Sequence, residues 1–101
     1  MNPLNSTGLS DLVPSEFHLS QNYPNPFSET TVIKLCVAYK TKATLEVFNS
    51  EGVMVKRLLD EEKEAGTYEV EFDACKLSEG IYTYQLQAGD FSPKKTMLLS
   101  R

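Results

Sequence analysis

The 101-residue sequence is poor in the residues that most often build catalytic and metal sites. It contains no tryptophan, one histidine, two cysteines and five glycines. One histidine and two widely separated cysteines do not make a zinc site, and the few glycines form no phosphate-binding loop. No nucleophile can be paired with a general base either. The sequence therefore predicts a protein that is not an enzyme, with no catalytic residues, no cofactor and no metal.

Charge and hydropathy narrow the class of partner further. The formal net charge is −4, whereas a nucleic-acid-binding face needs clustered lysine and arginine. No apolar run approaches the roughly 18 residues that a membrane-spanning helix needs. Residues 1–3 begin neither the charged nor the apolar region of a signal peptide. We expect no nucleic-acid partner and no transmembrane segment.

The two cysteines, Cys36 and Cys75, leave two states open. A disulfide requires an oxidising compartment and a fold that brings the two sulfurs together. The scarcity of cysteine favours free thiols.

What the sequence does contain is a segment with two prolines at alternate positions, NYPNPF at residues 22–27. Each proline lacks a backbone N–H and pushes the preceding residue towards extended geometry, which excludes a helix interior or a central strand. We expect a stiff extended segment that Tyr23 and Phe27 anchor onto the core. Residues 1–16 are polar and without periodicity, so a linker or disordered lead is expected there. Residues 17–101 are expected to form one domain.

After this segment the chain is predicted to be all β. Apolar and polar residues alternate around 17–19, 30–38, 43–48, 53–59, 67–73, 80–87 and 91–99. In the weakest of these, Val55 and Leu58 are expected in the core rather than Met54, which requires a bulge. The charge run at 60–64 is expected to be a solvated loop. Short strands at about ten-residue spacing are typical of an antiparallel β-sandwich.

Two features of the second half carry more specific expectations. The spacing of Leu77, Gly80 and Tyr82 resembles the tyrosine corner of Greek-key sandwiches, in which the hydroxyl bonds to upstream backbone. Pro93, Lys94 and Lys95 are typical of an edge strand that discourages unwanted pairing. The same basic pair beside an apolar strand could instead be a recognition surface, and the residues alone do not decide.

Six motifs, in order along the chain, resemble one family. They are LSQNYPNPF at 19–27, TTVIK at 30–34, AGTY at 65–68, LSEGIY at 77–82, LQAGDF at 86–91 and KKTMLL at 94–99. The pattern resembles the C-terminal sorting domain, type A, of the type IX, or Por, secretion system, and covers residues 17–101.

The resemblance implies a fold and a function. The fold is an immunoglobulin-like antiparallel sandwich of about seven strands. The function is a non-catalytic C-terminal sorting signal that directs a cargo protein from the periplasm across the outer membrane. The implied partners are the outer-membrane translocon, a sortase-like protease that usually removes the domain, and a cargo domain that precedes it. We expect the chain to be the tail of a longer precursor that ends at the cell surface or is secreted.

The resemblance also supplies candidate sorting-motif residues. They are Tyr23, Pro24, Asn25, Pro26, Gly66, Tyr68, Gly80, Tyr82, Lys95, Met97, Leu98 and Leu99. The terminal group, from Lys95 onwards, is the part that the secretion machinery is expected to read. Exposed edge strands leave the choice between a monomer and a weak edge-strand dimer open.

A second function also stays open at this point. Small sandwiches commonly bind carbohydrate or protein ligands, and Tyr39, Tyr82 and Tyr84 could stack on sugars. The alternation around Tyr82 and Tyr84 favours core positions for both.

Overall fold

The computed structural model describes residues 16–101. In this part of the chain the stretches with alternating apolar and polar side chains form strands, because one face of each can be buried. The expected lead, residues 1–16, lies outside the described residues except for its last position. The strands are β1 (His18–Leu19), β2 (Thr30–Val37), β3 (Thr41–Phe48), β4 (Met54–Lys63), β5 (Gly66–Asp73), β6 (Gly80–Ala88) and β7 (Lys94–Leu99). In this part of the chain no helix is long and apolar enough to cross a membrane.

The strands form two antiparallel sheets. One has the order β1-β2-β5 and the other β4-β3-β6-β7. The predicted all-β antiparallel sandwich of seven strands is therefore confirmed. In constant-type immunoglobulin domains the fourth strand lies beside the fifth in the same sheet. Here β4 instead lies at the edge of the four-stranded sheet, and β7 forms the opposite edge.

The core lies between the two sheets and follows the period of two. Ile33, Leu35 and Val37 of β2 are buried on one face, as predicted. The other buried apolar side chains of the strands after β2 are Ala43, Leu45, Val47, Leu59, Phe72, Tyr82, Tyr84, Leu86, Ala88, Met97 and Leu99. Each large apolar side chain contributes about 1.5–3 kcal/mol through burial. The faces predicted from alternation in β2, β3 and β6 are the faces that meet.

Strand β4 confirms the expected bulge and corrects the expected loop. Its pairing with β3 shifts register twice, and the residues skipped are Leu58 and Val55. Both pack half-buried against the core, whereas Met54 is exposed. The predicted loop at 60–64 was wrong, because β4 continues to Lys63.

Charge pairs to the neighbouring stretch of chain accompany this longer strand. The Nζ of Lys42 on β3 lies 3.3 Å from Asp60 Oδ1, and Lys40 lies 3.8 Å from Glu62. An edge strand exposed to solvent can carry such a charge run without losing its backbone pairing.

The two glycine-tyrosine motifs are the same structural device used twice. The Tyr82 hydroxyl donates to the carbonyl of Ser78 at 2.6 Å, which confirms the expected tyrosine corner. The Tyr68 hydroxyl donates in the same way to the carbonyl of Glu64, also at 2.6 Å. In both cases the acceptor is four residues upstream. Each tyrosine therefore fixes the turn at the start of its own strand.

The hydrogen bonds of the two corners should contribute unequally to the free energy of unfolding. Tyr82 is buried and its hydrogen bond is partly shielded, whereas the bond of Tyr68 is exposed to water that can replace it. We expect Tyr82→Phe to lower the free energy of unfolding by about 1–2 kcal/mol and Tyr68→Phe by less than about 1 kcal/mol. Urea unfolding of the two variants measures both. Equal losses would contradict this account of the corners.

Candidate functional site

The candidate sorting-motif residues fall into three places in the fold. Gly66, Tyr68, Gly80 and Tyr82 build the two corners described above. The other eight lie in the proline segment and in the terminal strand β7, 70 or so positions apart in sequence yet in contact in the fold. The proline segment and β7 therefore form one site, and the corners lie outside it.

The residues from 20 to 27, here called the edge segment, lie along the outer edge of β7. The backbone N–H of Phe27 donates to the Leu98 carbonyl at 3.0 Å, and the N–H of Ser100 donates to the Phe27 carbonyl at 2.9 Å. The N–H of Leu98 donates to Asn25 Oδ1 at 3.0 Å. Gln21 Nε2 donates to the Thr96 carbonyl at 2.6 Å. The expected exposed edge of the terminal strand is therefore largely covered.

The same segment also pairs with the other sheet. Tyr23 and Val32 exchange two backbone hydrogen bonds of 2.9 Å, and the N–H of Ser20 donates to the Lys34 carbonyl at 2.9 Å. The hydroxyl of Thr31 donates to the Pro24 carbonyl at 2.9 Å. The edge segment thus joins β2 of one sheet to β7 of the other and closes this side of the sandwich.

The two aromatic residues of the segment behave differently from each other. Phe27 is 2 % exposed and its ring centroid lies 6.1 Å from that of Phe72, so it anchors the segment in the core as expected. Tyr23 is 79 % exposed. The expectation that Tyr23 packs on the core was wrong, because its attachment to β2 is through the backbone. The peptide bonds before Pro24 and Pro26 are both cis.

A buried polar cluster holds the segment against β6. The backbone N–H of Asn22 donates to the Tyr84 hydroxyl at 2.8 Å, and that hydroxyl donates to the Ser20 carbonyl at 2.7 Å. The Asn22 side chain donates to the Pro24 carbonyl and to the hydroxyl of Thr31. Asn22 is 2 % exposed and Tyr84 fully buried. Burial raises the pKa of the Tyr84 hydroxyl to about 12.

Sequence reasoning did not select Asn22, Gln21 or Tyr84 as sorting-motif residues, although the first two lie in the LSQNYPNPF motif and Tyr84 was considered for sugar stacking. A signal was present for Tyr84, because it lies on the buried face of an alternating strand and a buried phenol hydroxyl needs a hydrogen-bond partner. Nothing local pointed to Gln21, whose acceptor lies 75 residues away.

The terminal-motif residues divide according to the alternation of β7. Met97 and Leu99 are buried in the core, and Lys95 on the same side is half-buried. Leu98 points to the opposite side and is 36 % exposed. Among the four, Leu98 offers the largest apolar surface to a partner.

Arg101, the second residue after this strand, ties its end to the corner that precedes β6. The backbone N–H of Arg101 donates to Glu79 Oε1 at 2.9 Å. Its guanidinium donates to the carbonyls of Leu77 and Ala74. The end of the terminal strand is therefore held on one side by the edge segment and on the other by this corner.

The two cysteines are free thiols in this fold. Cys36 lies opposite Thr67, whereas Cys75 follows Asp73, which lies opposite Thr30. Six positions along a strand correspond to about 20 Å, well beyond the reach of a disulfide. Within residues 16–101 no group of three or more His, Cys, Asp or Glu side chains lies together as a metal site.

The turn at Asp73 carries two opposite pKa shifts. The hydrogen bond from the Cys75 backbone N–H to Asp73 Oδ1, of 3.0 Å, lowers the pKa of the carboxyl. The Asp73 carboxylate, through a hydrogen bond, raises the pKa of the Cys75 thiol.

The fold and the covered edge define an antiparallel β-sandwich module whose first and last motifs form one site. Residues 21–100 match the family model for the secretion system C-terminal sorting domain. The chain belongs to this family of the Por, or type IX, secretion system, whose members act as C-terminal sorting signals of exported proteins. Such a domain is part of the cargo and is recognised by the secretion machinery, and its protein reaches the cell surface or is secreted.

A solved structure is similar in fold. The crystal structure of dimeric latent PorU from Porphyromonas gingivalis matches with a TM-score of 0.65 and 16 % sequence identity. The match covers 83 % of this chain and 9 % of that protein's chain. No curated protein matches the chain.

The cluster around Tyr84 makes stability depend on pH in the alkaline range. With its pKa raised from 10.0 to about 12 in the fold, Tyr84 keeps its proton where the unfolded chain loses it. Its contribution is thus fully present below pH 10 and is lost as the pH rises towards 12. Tyr84→Phe removes both the titration and the hydrogen bonds, at a cost of about 1–3 kcal/mol near neutral pH.

The difference between the parent and Tyr84→Phe should therefore shrink as the pH rises. Between about pH 9 and about pH 11 we expect it to narrow by about 1 kcal/mol. Urea unfolding of both proteins at the two pH values measures it. A difference that stays constant between the two pH values would show that burial does not raise the pKa of the Tyr84 hydroxyl.

Proposed function

We propose that this domain directs an N-terminal cargo from the periplasm through the outer-membrane type IX translocon, and that a sortase-like protease then removes it. The observation that carries the proposal is the contact between the proline motif and the terminal motif. Motifs separated by most of the chain form one site in which Asn25, Phe27 and Leu98 bond directly. A sorting signal built this way is complete only when the domain has folded.

The domain is proposed to act by being recognised, not by catalysis. The family to which it belongs is non-catalytic in general. The alternative of a sugar-binding module has less support, because Tyr82 and Tyr84 are buried and only Tyr39 of the three tyrosines is exposed. We propose that the candidate sorting-motif residues of the two corners serve sorting by shaping the domain. Those of β7 serve it by presenting the outer side of that strand.

Deletion of residues 94–101 tests the sorting function. The full chain is fused behind a reporter with its own signal peptide and produced in a bacterium with a type IX system. We expect the reporter to reach the cell surface with the complete domain and to stay in the periplasm without β7. Protease accessibility on intact cells and cell fractionation measure the two pools. Surface export that survives the deletion would contradict the proposal.

The processing site is predicted to lie in the linker, residues 1–16. A protease needs an extended substrate, whereas the backbone pairing of the sandwich begins at His18. Mass spectrometry of the mature carboxyl end of the exported reporter fusion locates the cut. A cut within 17–101 would be inconsistent with this prediction.

A further inference from the structure

Few backbone groups on the outer edge of β7 are free to pair with an added strand. The carbonyl of Pro93 accepts a hydrogen bond from Leu86 of β6 at 3.1 Å. Because backbone groups alternate along a strand, Lys94, Thr96 and Leu98 direct theirs outward. The Thr96 carbonyl and both groups of Leu98 are bonded to the edge segment. From Thr96 to the end of the strand, a partner strand could add only after displacement of the edge segment.

Displacement would open the core. Phe27, whose backbone N–H bonds to the Leu98 carbonyl, is 2 % exposed and packs on Phe72. Removing such a side chain from the core costs about 1.5–3 kcal/mol for burial alone. A partner that leaves the edge segment in place therefore has to bind exposed side chains rather than the edge of β7 from Thr96 onwards.

The outer face of β6 and β7 offers such side chains. Ile81 lies opposite Leu98, and they are 49 % and 36 % exposed. Ile81 also lines a shallow groove together with Phe48, Asn49, Ser50, Gly52, Thr83, Gln85 and Lys94, and Leu98 lies next to Ile81 outside this lining. Phe48 and Ile81 give it apolar walls, and Lys94 places a cation at one end.

The charge at Lys94 is not neutralised within the described residues. Lys34, Lys40, Lys42, Arg57 and Lys63 each lie within 4.0 Å of a carboxylate oxygen of the chain. Lys56, Lys76, Lys94 and Lys95 have no carboxylate of residues 16–101 that close, and of these four only Lys94 lines the groove. The complement of this groove is an apolar side chain followed by a carboxylate.

We propose that a protein of the secretion machinery docks in this groove through an extended segment, with a carboxylate on Lys94 and an apolar side chain on Ile81 that extends onto the neighbouring Leu98. This proposal rests on the proposed sorting function and adds the surface and the chemistry of the partner. The edge segment stays in place throughout, and its role is to hold β7 so that this face is presented.

Matched substitutions separate this face from the rest of the domain. Leu98→Ser is compared with Val32→Ser, since Val32 is 37 % exposed on the outer face of the other sheet. Lys94→Glu is compared with Lys76→Glu, because Lys76 is also exposed and outside the groove. Lys94→Arg keeps the charge. All are made in the full-chain reporter fusion, and urea unfolding of each purified domain checks that it is folded.

Leu98→Ser and Lys94→Glu are expected to reduce the surface-exposed reporter by about tenfold, as loss of an interface hot spot does. The two control variants and Lys94→Arg are expected to stay within about twofold of the parent. If Leu98→Ser proves unfolded, the comparison of Lys94→Glu with Lys94→Arg and Lys76→Glu tests the proposal alone.

Two results would overturn the proposal. Normal export of Lys94→Glu and Leu98→Ser, while deletion of 94–101 still blocks export, would refute docking in the groove and leave the sorting function intact. Equal losses for the test and control variants would show that no particular face is read. If the deletion itself does not block export, it is the sorting function that fails.

Discussion

The outward backbone groups of an edge strand need hydrogen-bond partners, and this requirement governs the structure of one whole side of the domain. Water can satisfy these groups, but an open edge also invites pairing with other chains. In β7 the partners come from the edge segment instead, with Asn25 bonding across 73 residues of sequence to Leu98. The prolines fit this role, because Pro24 and Pro26 have no backbone N–H that needs a partner, while the Pro24 carbonyl accepts hydrogen bonds from Asn22 and Thr31.

This closure explains why the polar cluster is buried. Asn22 and the Tyr84 hydroxyl lie where the segment passes from one sheet to the other, and each satisfies groups that would otherwise lack a partner. A buried polar network that is fully paired fixes one arrangement of its surroundings, because every alternative leaves a group unpaired. The position of the segment on β7 is therefore set by hydrogen bonds as well as by the burial of Phe27.

The period of two was sufficient to predict the fold class and the buried faces of most strands from sequence, and the spacing of Gly80 and Tyr82 was sufficient for one corner. It failed for residues 60–63, since an edge strand with solvent on both faces needs no apolar alternation. It failed for Tyr23, because a residue can be attached through its backbone while its ring stays in water. The meeting of the proline segment with β7 was not predictable, since no local pattern records which side of a sandwich an extended segment will close.

Because the side chains of β7 alternate between the core and the outer face, a terminal motif can be required for two separate reasons, folding and recognition. Met97 and Leu99 face the core, so their loss would impair export through unfolding alone, whatever the machinery reads. Leu98 and Lys94 face away from the core, where a substitution leaves the packing intact. If the machinery docks as proposed, a motif of consecutive residues contains a folding requirement and a recognition surface at alternate positions. Because the edge segment holds the backbone between them, the outer positions are presented only when the inner ones are packed, which links recognition of the signal to completion of its fold.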